Sequence, residues 1–99
     1  MRLSNTEITF IKNSLNQFIT DYQLYLFGSR TDPNKKGGDI DLLLTVKNKP
    51  EILAAKHKIL AEIKSAIGDQ KIDLVIAHEE ELKKDPFLLE VMETAVKLV

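Results

Sequence analysis

Residues 39–46 (DIDLLLTV) and 71–77 (KIDLVIA) are strand-length apolar runs, each opening on an Ile-Asp-Leu step, with a helix-length segment between them. Two strands joined by a whole helix suit a crossover connection and a parallel pair. That one arrangement removes most of the folds open to a chain of 99 residues. The length leaves room for a single core, so residues 1–99 are expected to form one domain. Such a chain can bury over ~60% of the surface its unfolded form exposes, enough to fold without staples.

The remaining elements follow from periodicity and punctuation. Ser4-Asn5-Thr6-Glu7 has the spacing of a capping box. Ile8, Ile11, Leu15, Phe18, Ile19 and Tyr22 recur behind it at helical spacing, so a first helix is expected to run to about Asp21. Residues 23–27 (QLYLF) read as a strand that Gly28-Ser29 ends. Residues 30–38, with Pro33, Gly37 and Gly38, read as a loop or one helical turn. Pro50 suits a first helical turn, and Ile52, Ala55, Ile59, Ile63 and Ile67 mark one face up to a stop at Gly68-Asp69. Residues 78–84 are charged and read as a solvated loop or turn. Asp85-Pro86 supplies an N-cap and N1 proline for a last helix through about Thr94. Residues 95–99 extend that helix or form a short fourth strand, with the strand preferred. The expected architecture is α/β (α+β): two layers, a small mixed sheet with helices packed on one face.

Composition excludes more than it identifies. The chain has no cysteine, which rules out disulfides and thiolate metal sites. No run approaches the ~20 apolar residues of a membrane helix, and the polar start argues against a signal peptide, so a cytoplasmic location is expected. A formal net charge of -1 weighs against a general nucleic-acid scaffold.

The chemistry-bearing residues lie at the ends of the strands. Alternation on a strand sends Asp39 and Asp41 to one face and Ile40 to the other. Two carboxylates so close repel, and ionising both requires a cation between them or one raised pKa. Their oxygens suit Mg²⁺ or Mn²⁺, hard cations that keep several waters and substrate phosphate oxygens. The pair alone is better read as ordinary surface acids at a strand start, because D-x-D is a short pattern with many chance matches. Asp73, the only acid in the third apolar run, supplies a third carboxylate if the two strands are neighbours. Alone, it reads as an edge acid that keeps the strand soluble. Gly28 at the preceding strand end lets backbone approach a ligand closely, and the amides after it can cradle phosphate oxygens. Ser29 adds donors, and Arg30, with Lys35 or Lys36, can neutralise phosphate charge. An isolated Gly-Ser is more commonly a strand-ending turn.

Other candidates are weaker. His57 sits among lysines on a helix and His78 ends the third strand, and the two form no recognised zinc spacing. No Ser-His-Asp grouping with an elbow motif occurs. Lys56, Lys58 and Lys64 read as a solvated helix face.

Taken together, Phe27-Gly28-Ser29, Asp39-Ile40-Asp41-Leu42 and Asp73 resemble the nucleotidyltransferase superfamily that includes DNA polymerase beta. That superfamily's motif is h-G-[GS], then [DE]-h-[DE]-h some ten residues on, with a third acid on a later strand. The chain is most similar to the minimal nucleotidyltransferases, which often carry a helix starting like Asp85-Pro86-Phe87. The resemblance spans roughly residues 18–99. It departs at Gly38, where the family usually has a small or hydroxylic residue before the first acid. It implies the nucleotidyltransferase fold and a two-metal transfer of a nucleoside monophosphate, AMP from ATP, to an acceptor hydroxyl. Asp39, Asp41 and Asp73 would be catalytic and hold two Mg²⁺ ions, with Mn²⁺ an alternative. Asp73 would serve the acceptor side, and Gly28, Ser29 and Arg30 would bind the nucleotide phosphates. Minimal nucleotidyltransferases are commonly paired with HEPN-domain ribonuclease toxins as the antitoxin, and can adenylylate the toxin on tyrosine. The resemblance therefore also implies a HEPN-domain partner. Apolar residues from Phe87 to Val99 exceed what one helix face needs, which suits either an interface or a tail buried in the core. A non-catalytic module that neutralises its partner by binding is the alternative, and a transferase acting on RNA ends or a small molecule a third.

Overall fold

The computed structural model describes residues 3–28, 39–68 and 70–99. The first helix, α1 (Asn5–Leu15), opens on the capping box: Ser4 Oγ accepts from the Glu7 amide at 3.0 Å, and Glu7 Oε1 accepts from the Ser4 amide at 3.1 Å. It ends at Leu15, short of the expected Asp21, because the chain tightens into a turn there. The amides of Phe18 and Ile19 both donate to the Leu15 carbonyl at 2.9 Å, and the Tyr22 hydroxyl donates to Asn16 Oδ1 at 2.8 Å. This turn keeps Ile19 in the core, so an apolar period that outlasts the helix still has a structural use.

Strands β1 (Tyr22–Phe27) and β2 (Ile40–Val46) pair antiparallel, with Leu24 opposite Leu44 and Phe27 opposite Asp41. Two helices follow, α2 (Lys49–Ala54) and α3 (Lys56–Ile67), where the apolar period suggested one. The break is at Ala55, whose φ of −94° and ψ of 2° leave the helical region. Ile52 and Ile59 are buried on either side of it, so the kink preserves the spacing that a straight helix would show. Gly68, with φ +96°, stops α3 as expected, its amide donating to the Lys64 carbonyl at 2.9 Å. Strand β3 (Ile72–His78) pairs parallel with β2 across the crossover. A short 3-10 helix (Glu79–Lys83) occupies the charged segment, and α4 (Pro86–Thr94) opens on Asp85, whose Oδ1 accepts from the amides of Phe87 and Leu88 at 2.9 and 3.2 Å. The chain then forms β4 (Val96–Lys97), antiparallel to β1, which resolves the tail as a strand.

The result is a four-stranded mixed sheet in the order β3-β2-β1-β4, the expected class of fold. Its main core lies between one face of the sheet and α1, α2 and α3, built from Leu24, Leu26, Ile40, Leu42, Leu44, Leu74 and Ile76 against Ile11, Leu15, Ile52, Ile59 and Ile63. Fully burying side chains of this kind stabilises a fold by roughly 1.5–3 kcal/mol each. Ser14 is buried where α1 meets α3, and its hydroxyl donates to the carbonyls of Phe10 (3.0 Å) and Glu62 (3.4 Å). The single helical layer expected from sequence accounts for α1 to α3. The fourth helix lies on the opposite face, where Leu88 and Val91 pack against Tyr25, Leu43 and Ala77. That second cluster explains much of the apolar surplus after Phe87. Among the described residues, no helix is long and apolar enough to cross a membrane.

Candidate functional site

Alternation decides which face of the sheet carries the acids. Even-numbered residues of β2 and β3 fill the main core, so the odd-numbered ones, Asp41 and Asp73 among them, point to the face that α4 partly covers. The parallel register sets Asp41 directly beside Asp73, as Leu43 is set beside Val75. Asp39 precedes Asp41 by two residues at the mouth of β2, and its backbone is held there because the Ile40 amide donates to the Lys71 carbonyl at 2.9 Å. The sequence expectation that Asp73 lies on a neighbouring strand, facing the same place, is met.

The electrostatics agree with the geometry. Burial pushes the Asp41 carboxyl up from its ordinary value, and the negative charges of Asp73 and then Asp39 push it further in the same direction. Asp41 is half-buried while Asp73 is exposed, so the row runs from the edge of the second cluster out to solvent. Phe27 stands opposite Asp41 on β1. Its ring meets that of Phe87 edge-on, with centroids 6.5 Å apart and planes at 81°, which closes one side of the row with apolar surface.

Gly28 follows immediately, with φ +74°. A Cβ added there would run into Oδ2 of Asp41. Two constraints therefore converge on this glycine: a left-handed backbone and direct contact with a carboxylate. The sequence led one to expect close backbone approach to a ligand at Gly28; what lies against it in the structure is the Asp41 carboxylate. Ser29 and Arg30, with Lys35 and Lys36, lie outside the described residues.

Lys71 was passed over by sequence reasoning. Its Nζ lies 3.6 Å from Asp39 Oδ2, with the lysine side chain 81% exposed. The signal was present in the spacing, since Lys71 precedes Asp73 by two residues and so shares its face. His78 acts locally, its Nδ1 accepting from the Glu80 amide at 3.2 Å to cap the 3-10 helix. Glu81 completes that cap by accepting from the His78 amide at 2.9 Å, and it pairs with Lys49 at 2.6 Å. These contacts, the lysine first, hold the Glu81 carboxyl below its ordinary value.

Among the described residues, no three His, Asp or Glu side chains converge as a ready-made metal cage. The acids form an open row of oxygen donors instead. That suits Mg²⁺, which binds through one or two carboxylates together with waters and substrate phosphates. The raised Asp41 carboxyl is the second sign of fit: burial raises it first and the charges of Asp73 and Asp39 add to that, and a cation beside it would offset all three.

Residues 8–98 match the family model for the nucleotidyltransferase domain. Among solved structures, the chain is similar to a crystal structure of the MntA-HpeT toxin–antitoxin carrying two aspartate-to-glutamate substitutions. The TM-score is 0.67 at 21% identity, covering 93% of this chain and 71% of that one. It is also similar to a crystal structure of a toxin–antitoxin with AMP-PNP, with a TM-score of 0.68 at 23% identity, covering 93% of this chain and 72% of that one. Among curated proteins, none matches. At such identities the structural likeness speaks to the fold.

Proposed function

The chain belongs to the nucleotidyltransferase domain family, and from that premise we propose that it transfers AMP from ATP to a hydroxyl group of a partner protein. The observation that carries this reading is the row of Asp39, Asp41 and Asp73, two of them side by side across a parallel strand pair and the first in contact range of a lysine. In the transfer, the acceptor oxygen bonds to the α-phosphorus, the bond from that phosphorus to the bridging oxygen breaks, and pyrophosphate leaves. Asp39 and Asp41 would hold two Mg²⁺ ions, or Mn²⁺, on the nucleotide side. Asp73, exposed at the end of the row, would hold the acceptor side and take the acceptor's proton. When bound, the ions supply neutralisation of phosphate charge and a more acidic acceptor hydroxyl. Gly28 contributes by bringing main chain against the acids, with Ser29 and Arg30 assigned to the departing phosphates. What remains for the protein is positioning and charge stabilisation, which suits a rigid strand pair.

The partner we assign is a HEPN-domain toxin, with this chain as the antitoxin that adenylylates it in the cytoplasm. Support comes from the structural neighbours, both toxin–antitoxin structures and one with AMP-PNP. The exposed apolar side chains Phe87, Leu89 and Val96 also favour a docked protein over a free surface. The same residues favour a second reading, in which binding alone neutralises the partner.

Incubating the protein and its partner with α-labelled ATP and Mg²⁺ tests the proposal. Label should appear on the partner and vanish with Asp41→Ala. Neutralisation that survives Asp39→Ala combined with Asp41→Ala would select binding over catalysis.

A further inference from the structure

The three acids place like charges along one row, with Asp41 directly beside Asp73 in the parallel register. Among the described residues, Lys71 is the cation joined to these acids by an ion pair. Its position is fixed by the backbone: it immediately precedes β3, its carbonyl accepts from the Ile40 amide, and the parallel register puts it beside Asp39 as Asp73 is beside Asp41. Its side chain is 81% exposed and that of Asp39 42%. An exposed ion pair of this kind contributes little to stability. The lysine has four rotatable carbons and a strongly hydrated head, so it can be released at small cost.

We propose that Lys71 is an exchangeable countercharge for the nucleotide site: it pairs with Asp39 while the site is empty and turns to triphosphate oxygens once a divalent cation takes Asp39. This rests on the proposed nucleotidyl transfer. Two opposite effects follow for one side chain. In the free protein Lys71 competes with a cation for Asp39 and weakens metal binding. In the loaded protein it adds positive charge next to the polyphosphate and strengthens nucleotide binding. A lysine that served only solubility or packing would do neither.

The test measures binding of two probes to the wild type, Lys71→Ala and Lys71→Arg. The first probe is Mn²⁺ alone, titrated against free protein and read by electron paramagnetic resonance. The second is AMP-PNP at saturating Mg²⁺, read by calorimetry. For Lys71→Ala, Mn²⁺ should bind about threefold tighter, as expected for losing an exposed charge pair. The same variant should bind AMP-PNP about five- to tenfold more weakly, as expected for one lost charge-assisted contact. Lys71→Arg should stay within twofold of wild type on both. Unchanged or weaker Mn²⁺ binding in Lys71→Ala would overturn the competition with Asp39, and unchanged AMP-PNP affinity would overturn the transfer to phosphate. The exposed side chain makes misfolding of these variants a minor concern. Failure of the transferase reading is separately visible, as a wild-type protein that binds the probes yet moves no label to a partner.

Discussion

Gly28 couples backbone conformation to the acid row. Its positive φ disfavours any side chain, and the space a Cβ would occupy belongs to Asp41. Gly28→Ala is therefore expected to cost about 1–2 kcal/mol of stability from the left-handed backbone alone. It should also reduce transfer far more than that loss explains, because Asp41 must move. Urea unfolding together with label transfer on the folded fraction separates the two effects. Asp41 carries its own signature. Its carboxyl is raised in the folded state, so the fold holds that proton more tightly than the unfolded chain does. The charge consequently opposes folding above the folded pKa, and the opposition disappears as pH drops below the unfolded value. Asp41→Asn should melt above wild type at neutral pH, with the gap closing as the pH falls into and below the ordinary carboxylate range. A gap that widened on acidification would contradict the shift.

At the level of elements, the caps were the most legible part of the sequence, because each is a local hydrogen-bonding rule. Ser4 with Glu7 and Asp85 with Pro86 both start helices where their spacing said they would. Asp85→Ala is expected to leave the Phe87 and Leu88 amides of α4 without the carboxylate oxygen that accepts from both, at a cost of about 1 kcal/mol, lowering Tm by ~4–8 °C. What sequence left open depended on tertiary packing. The division at Ala55 has no glycine or proline to announce it, and Ile52 and Ile59 keep the same period across it. The early end of α1 was hidden in the same way, since Phe18 and Ile19 go on contributing apolar positions from a turn. The placement of α4 on the far side of the sheet was not readable either. A helix's amphipathic stripe tells that it is buried, not against which side of a sheet. The acid row was legible because strand alternation is strict, and one parallel pairing then fixes Asp73 relative to Asp41. Lys71 obeyed the same rule and was missed only because lysines at strand starts are common.

For the whole molecule, the two sides of the sheet have separate roles. The side under α1, α2 and α3 holds the larger core and, among the described residues, contains no candidate site residue. Among the described residues, the other side is covered in part, by α4 and the 3-10 helix, and Asp41 and Asp73 lie on that same side. This division predicts that ligands stabilise the molecule without reorganising its main core. At a hundredfold excess over its Kd, Mg²⁺ with AMP-PNP should stabilise the fold by about 2.7 kcal/mol. The rise in Tm should be absent in Asp41→Ala, and circular dichroism should report the same helix content with and without ligand.

The parallel pairing of β2 with β3 also has a kinetic meaning. β1 and β2 are sequential antiparallel strands, whereas β2 and β3 meet only after both α2 and α3 have been traversed. Contacts between distant segments form slowly, because closing the intervening chain costs entropy before any pairing repays it. A chain refolding from denaturant can therefore regain helical signal while Asp73 is still remote from Asp41. Nucleotide binding should reappear with the slowest phase, making the ligand a reporter of when that last long-range pair has closed.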